Sequence, residues 1–416
     1  MNRASLFAER IGGSRFGQTG AIYKFEKIKR AKAAAREARP EVELLDFGVG
    51  EPDCMAPVAI REALKQAVDE PGNRGYADNG IPAFKRAAAE YLRKFFGVTG
   101  IDPETEIVHS IGSKSALAML PLAFVNPGDA VLVTTPGYPV LATHARYLGG
   151  DVVPVPLRRE NGFLPDLRAL DPVAVARAKL FYVNYPNNPT GASAPPEFWD
   201  ELIAFAEANS LLIVQDAAYA TLIYGQTRHS ILGRPGGKEH AVELHSMSKS
   251  YNMTGWRLGF VAGSASAVRA FAEVKDNCDS GQFKAIQVAA CAGIADVTLS
   301  EAIRGHYRVR LEKLVAVLSA AGFEARMPGG TFYLYVPAPV GAGGQTFQSA
   351  EDASQFLIRE ALISTVPWDD QGAFLRFSAT FESAGDADDD RVLGELKKRL
   401  LAARLRFGPA RGGSGE

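Results

Sequence analysis

Lys249 lies in His245-Ser246-Met247-Ser248-Lys249-Ser250, and Arg257 follows eight residues later in Gly255-Trp256-Arg257-Leu258-Gly259. A lysine that sheds its proton attacks a carbonyl carbon and forms a Schiff base. Arginine keeps its charge and presents a planar fork that matches a phosphate. Ser246 and Ser248 add short hydroxyl donors beside them. An amine, a guanidinium and two hydroxyls in one short stretch suit a phosphorylated aldehyde. Taken alone, the same stretch also reads as a solvated loop.

Other segments offer groups for the same ligand. Gly112-Ser113-Lys114 precedes an Ala/Leu-rich helix expected from near Ser115, and backbone N–H groups at a helix N-terminus seat phosphate. Asp216 ends an apolar run, with Tyr219 three residues on. Asn188 sits in the polar loop Tyr185-Pro-Asn-Asn-Pro-Thr-Gly191, directly after another apolar run. Tyr138, in Pro136-Gly-Tyr-Pro139, follows a third. Each has a plainer alternative: an N-cap, a helix cap or a turn.

The elements that must position these groups are read from hydrophobic patterning. Residues 130–134, 180–184 and 211–215 are near-continuous apolar runs, as in strands covered on both faces of a parallel sheet. Helical stretches at 197–208 and 264–274 supply crossovers, an α/β doubly wound pattern whose ligands bind at the strands' carboxyl ends. The C-terminal third changes character, with helices expected at 300–321, 350–360 and 390–405 and strands at 331–336 and 374–378. The expected organisation is an N-terminal arm and part of a small domain at 1–50, a large domain at 51–295 and a small α+β domain at 296–408. A disordered tail is expected at 409–416. Lys- and Arg-rich residues 25–39 read as a basic helix with a solvated face.

Composition narrows the function classes. The chain has 416 residues, 47% hydrophobic and 22% charged, with a net charge of −1. That balance favours neither nucleic acid nor an anionic membrane as partner. The cysteines, Cys54, Cys278 and Cys291, are widely spaced and form neither a disulfide framework nor a zinc site, and no metal is expected. Without a signal-like N-terminus or a long uncharged apolar run, a soluble, cytoplasmic protein is expected.

Together the motifs resemble fold-type I, pyridoxal-phosphate-dependent aminotransferases, over about residues 23–400. The resemblance implies Lys249 as the catalytic lysine and pyridoxal 5′-phosphate as cofactor. It places Ser113, Lys114, Ser246, Ser248 and Arg257 on the phosphate, Asp216 beside the pyridine nitrogen, Asn188 and Tyr219 at the phenolic oxygen, and Tyr138 on the ring. Arg376, in Leu375-Arg-Phe-Ser378, is implied to grip the substrate α-carboxylate, with Gly50 and Asn188 beside it and Tyr23 closing over the site. Tyr76 is implied to reach the phosphate of a neighbouring subunit, making a homodimer with shared active sites. Stretches at 244–260, 274–283 and 362–370 are similar to the LL-diaminopimelate aminotransferase family. Its members convert tetrahydrodipicolinate and glutamate to LL-diaminopimelate and 2-oxoglutarate, in lysine and cell-wall synthesis.

One segment departs from that pattern. Plant-type members carry Tyr-Gly-x-Glu-x-Gly, whose glutamate helps read the far end of the substrate, whereas this chain has Tyr76-Ala-Asp-Asn-Gly80. The residues near Asp279–Lys284 that take part in the same reading do not match one to one. A general aspartate, alanine or aromatic aminotransferase is therefore the alternative, with a C–S lyase or a non-catalytic cofactor-binding regulator further off.

Overall fold

The computed structural model describes residues 6–17, 24–225 and 227–408. Its centre is a seven-stranded sheet in the order Ile107–Ser110, Gly259–Gly263, Ala241–Ser246, Leu212–Asp216, Ala178–Asn184, Ala130–Thr135, Asp151–Pro156. All pairings are parallel except those of Gly259–Gly263, which runs against both neighbours. Burial on both faces explains the unbroken apolar runs. Leu132, Phe181 and Val183 enter one core with Phe84, Trp199 and Leu202, while Val131, Val133, Leu180 and Tyr182 enter another with Leu117, Leu141 and Phe271. Alternate residues of a strand face opposite ways, so a strand covered on both sides carries no polar alternation.

A further core gathers the helices Val297–Ala320, Ala350–Ala361 and Asp386–Ala402 and two strands, Phe374–Ser378 and Tyr333–Pro337, of an antiparallel sheet whose edge strand, Val366–Trp368 beside Phe374–Ser378, packs in a small core with Ile28 and Ala35. Leu45–Asp46 pairs in parallel with Ile363–Ser364, which ties the N-terminal segment to this region. Two local expectations need correction. The helix foreseen near Ser115 already starts at Gly112. Gly341–Ala342 forms a small hairpin with Gln345–Thr346. The closing helix ends at Ala402, because Leu405–Arg406 turns back to pair with Gly341–Ala342. The tail at 409–416 lies outside the described residues. Among those residues, no single helix is long and apolar enough to cross a membrane.

Candidate active site

Sheet topology brings the sequence motifs together. The parallel strands end at Ser110, Thr135, Asn184, Asp216 and Ser246, all on one edge. The antiparallel strand begins on that edge, since Gly259 pairs with both Ser110 and Ser246. Arg257, two residues before it, therefore stands between the first turn of the helix Gly112–Phe124 and the Lys249 segment. A cavity of about 730 Å³ opens there. Ser113, Lys114, Tyr138, Asn188, Asp216, Tyr219, Ser246, Ser248, Lys249, Arg257, Arg376 and Gly50 all line it.

The geometry around Arg257 depends on two backbone conformations. Gly112 has φ +71°, and a Cβ there would lie 2.5 Å from Arg257 Nη2. Arg257 itself adopts φ +60° and donates from Nη1 to Thr254 O at 2.8 Å. A side chain at 112 would displace the guanidinium and strain the backbone, which favours glycine there. Ser246 caps the short helix Met247–Ser250 by accepting the Ser248 N–H at 3.2 Å, which leaves its hydroxyl proton to donate.

Asp216 is buried, accepting from Ala218 N at 3.2 Å and Tyr182 Oη at 3.4 Å. It makes no ion pair with a described residue, and burial pushes its pKa up to about 6. A buried carboxylate without a cation is costly, and a protonated ring nitrogen would supply the missing charge. Lys249 donates from Nζ to Gly50 O at 2.9 Å. Burial, with help from Arg257 and Arg376 and against Glu51, lowers its pKa to about 8. An orphaned carboxylate, a glycine-walled guanidinium cradle and a lysine near neutrality fit pyridoxal phosphate.

Arg376 comes from the C-terminal sheet. It is 3% exposed, donates from Nη1 to Asn188 Oδ1 at 2.8 Å and from Nη2 to Gly48 O at 3.2 Å, and stacks 4.0 Å from the Tyr333 ring centroid. Tyr219 Oη and Tyr333 Oη share a hydrogen bond at 3.1 Å. Tyr333, Lys24, Trp368 and Asp370 also line the cavity and were not among the residues expected there. Trp368 and Asp370 fall in a stretch carrying the resemblance, which was their one signal. Lys24 was hidden at the edge of a helix read as solvated.

Tyr23 is outside the described residues. Tyr76 is 80% exposed and does not line its own chain's cavity. Its loop packs on the other segment that departs from the plant-type pattern: Asp78 N donates to Ser280 O at 3.1 Å, and buried Lys275 donates to Asp78 O at 2.7 Å and Asp279 at 2.6 Å.

Residues 42–384 match the family model for aminotransferase class I and II, and the chain belongs to that family. It is an enzyme of the transaminase class with the architecture of fold-type I aminotransferases. It is 53% identical to an LL-diaminopimelate aminotransferase of Methanococcus maripaludis, over 97% of this chain and 98% of that one. It is 51% identical, at the same coverages, to an LL-diaminopimelate aminotransferase of Methanocaldococcus jannaschii. Among solved structures, substrate-bound BacF from Bacillus subtilis aligns with a TM-score of 0.87 at 30% identity, over 97% of this chain and 99% of that one.

Proposed function

We propose that this protein is a pyridoxal-phosphate-dependent LL-diaminopimelate aminotransferase, transferring an amino group between glutamate and the keto form of tetrahydrodipicolinate. What supports this reading is that Lys249, Arg376, Asp216 and Arg257 line one cavity, in a chain 53% identical over 97% of its length to an enzyme of that name. Arg257, Ser246, Ser248, Ser113 and the N-terminus of Gly112–Phe124 would hold the phosphate, and Asp216 the ring nitrogen. Asn188 and Tyr219 would face the phenolic oxygen, with Tyr138 against the ring. Pyridoxal phosphate, when bound, supplies the carbonyl that Lys249 attacks and a sink for the electrons of the broken Cα–H bond. Arg376 fixes the substrate carboxylate in a fork, which sets which Cα bond faces Lys249. Lys249 Nζ, neutral in a large fraction near pH 8, takes the proton from that carbon, a general-base role worth about 10²–10⁴-fold. Asp216 would hold the ring nitrogen, and a protonated nitrogen there would keep the carboxylate ionised.

The same reading makes the enzyme a homodimer in which exposed Tyr76 serves the partner's site, with Tyr23 closing over the substrate. It treats the regions on either side of about residue 295 as two domains meeting at the cavity. A cytoplasmic location fits three free thiols. The test is amino transfer with each candidate donor: conversion of LL-diaminopimelate and glutamate supports the reading, and conversion of aspartate or alanine with LL-diaminopimelate inert defeats it.

A further inference from the structure

Lys24 and Asp370 both line the cavity. Lys24 opens the helix Lys24–Ala38, and its ammonium lies 3.4 Å from the Trp368 ring centroid. It makes no hydrogen bond or ion pair with a described residue. Burial, with the like charge of Arg376, lowers its pKa from the ordinary lysine value, and Asp370 and Asp369 act in opposition. Asp369 is engaged elsewhere, accepting from Ala350 N at 2.7 Å and Glu351 N at 3.3 Å at a helix start. Asp370 is exposed and its carboxylate makes no hydrogen bond or ion pair with a described residue.

Strand register relates this pair to Arg376. Val366 lies opposite Arg376, and Trp368 opposite Phe374. Trp368 and Arg376 are therefore diagonal neighbours on one face, roughly 7–8 Å apart. A substrate whose α-carboxylate sits on Arg376 and whose chain carries three methylenes to a second α-carbon, about 5 Å from the first by bond lengths, is long enough to cover that separation and meet Trp368, Lys24 and Asp370 on the cavity wall.

We propose that Lys24 and Asp370 form the subsite for the far end of the substrate: Lys24 takes the second carboxylate, common to glutamate and diaminopimelate, and Asp370 takes the second ammonium, which diaminopimelate alone has. This rests on the function proposed above. One pocket must admit both partners of a two-step transfer. A half-buried lysine favours either carboxylate strongly, whereas an exposed aspartate, screened by water, repels glutamate only weakly. The two opposite charges also sense configuration. Inverting the far carbon, as in the meso isomer reacting at its L-centre, exchanges its ammonium and carboxylate and sets like charges together.

The test combines rapid-mixing half-reactions of the holoenzyme with glutamate, LL-diaminopimelate and meso-diaminopimelate, and a binding titration with unreactive glutarate. Lys24→Met should weaken glutarate, glutamate and LL-diaminopimelate each by about 10–100-fold, the loss of a charged hydrogen bond, and Lys24→Arg should restore glutarate binding. Asp370→Asn should lower the preference for LL-diaminopimelate over glutamate about tenfold and narrow the preference for LL over meso. Unchanged glutarate binding in Lys24→Met, or an unchanged preference in Asp370→Asn, overturns the subsite. If the unmodified enzyme turns over glutamate but ignores LL-diaminopimelate, the functional reading itself fails and the role of Asp370 falls with it, while glutarate binding to Lys24→Met still decides whether Lys24 takes the second carboxylate.

Discussion

Arg376 Nη1 donates to Asn188 Oδ1 at 2.8 Å, joining the C-terminal antiparallel sheet to the loop at the end of the strand Ala178–Asn184. The guanidinium is thereby aimed before any substrate arrives, with Tyr333 stacked on it and Gly48 O accepting its second nitrogen.

Arg376→Ala should therefore raise the KM for glutamate by about 100-fold or more, since two charge-assisted hydrogen bonds are lost. Bound cofactor should be unaffected, because Arg376 reaches the substrate side of the cavity. Spectroscopic titration of cofactor content beside steady-state kinetics separates the two; loss of cofactor would mean the arginine belongs to the phosphate side.

Asp216→Asn has effects of opposite sign on stability and on cofactor affinity. The folded-state pKa of about 6 lies above the usual 3.8, so the unbound protein gains stability from the protonated acid at low pH and loses it as pH rises through 6. At pH 7.5 the ionised, unpaired carboxylate destabilises the apoprotein by about 1–3 kcal/mol. The asparagine variant should melt higher than wild type as apoprotein and bind pyridoxal phosphate more weakly. A lower apoprotein Tm contradicts this role for Asp216.

The amine of Lys249 should react with added aldehyde with a midpoint near pH 8, well below the ordinary 10.5. Its pKa is depressed on folding, so between those values the unfolded chain binds the proton and the folded chain does not. Unfolding free energy from this group consequently rises with pH across that window. Removing Arg376 takes away a like charge and should move the midpoint upward; removing Glu51 should move it downward. Rates of apoprotein reconstitution against pH read both shifts.

Gly112→Ala should weaken pyridoxal phosphate binding by about tenfold or more, since the new Cβ meets Arg257 Nη2 at 2.5 Å and φ +71° is unfavourable for alanine. Equilibrium dialysis of cofactor measures it. Binding equal to wild type would show that Arg257 can shift without losing the phosphate.

Much of this was legible before the fold was known. Strands at Ala130–Thr135, Ala178–Asn184 and Leu212–Asp216 announce themselves because burial on both faces leaves continuous apolar runs. Lys249, Arg257 and Asp216 stand out because few side chains serve a phosphorylated aldehyde, and a doubly wound sheet collects its strand ends on one edge. Lys24 and Tyr333 were not legible: each reaches the cavity through packing between distant segments, Lys24 on Trp368 and Tyr333 on Tyr219 and Arg376, and nothing local marks a lysine at the start of a basic helix as anything but solvated. The early start at Gly112 was obscured because a left-handed glycine does not look like a first helical residue.

The most direct test of Lys249 as the cofactor-bearing residue of an LL-diaminopimelate aminotransferase is the visible absorption of the purified holoenzyme. Spectra are taken before and after adding LL-diaminopimelate, glutamate, meso-diaminopimelate and aspartate separately, with Lys249→Ala alongside. LL-diaminopimelate and glutamate should each bleach the band of cofactor joined to Lys249, the meso isomer should not, and the alanine variant should lack the band and all turnover. A variant that keeps near-normal turnover, or a native enzyme bleached by aspartate and indifferent to LL-diaminopimelate, would contradict it.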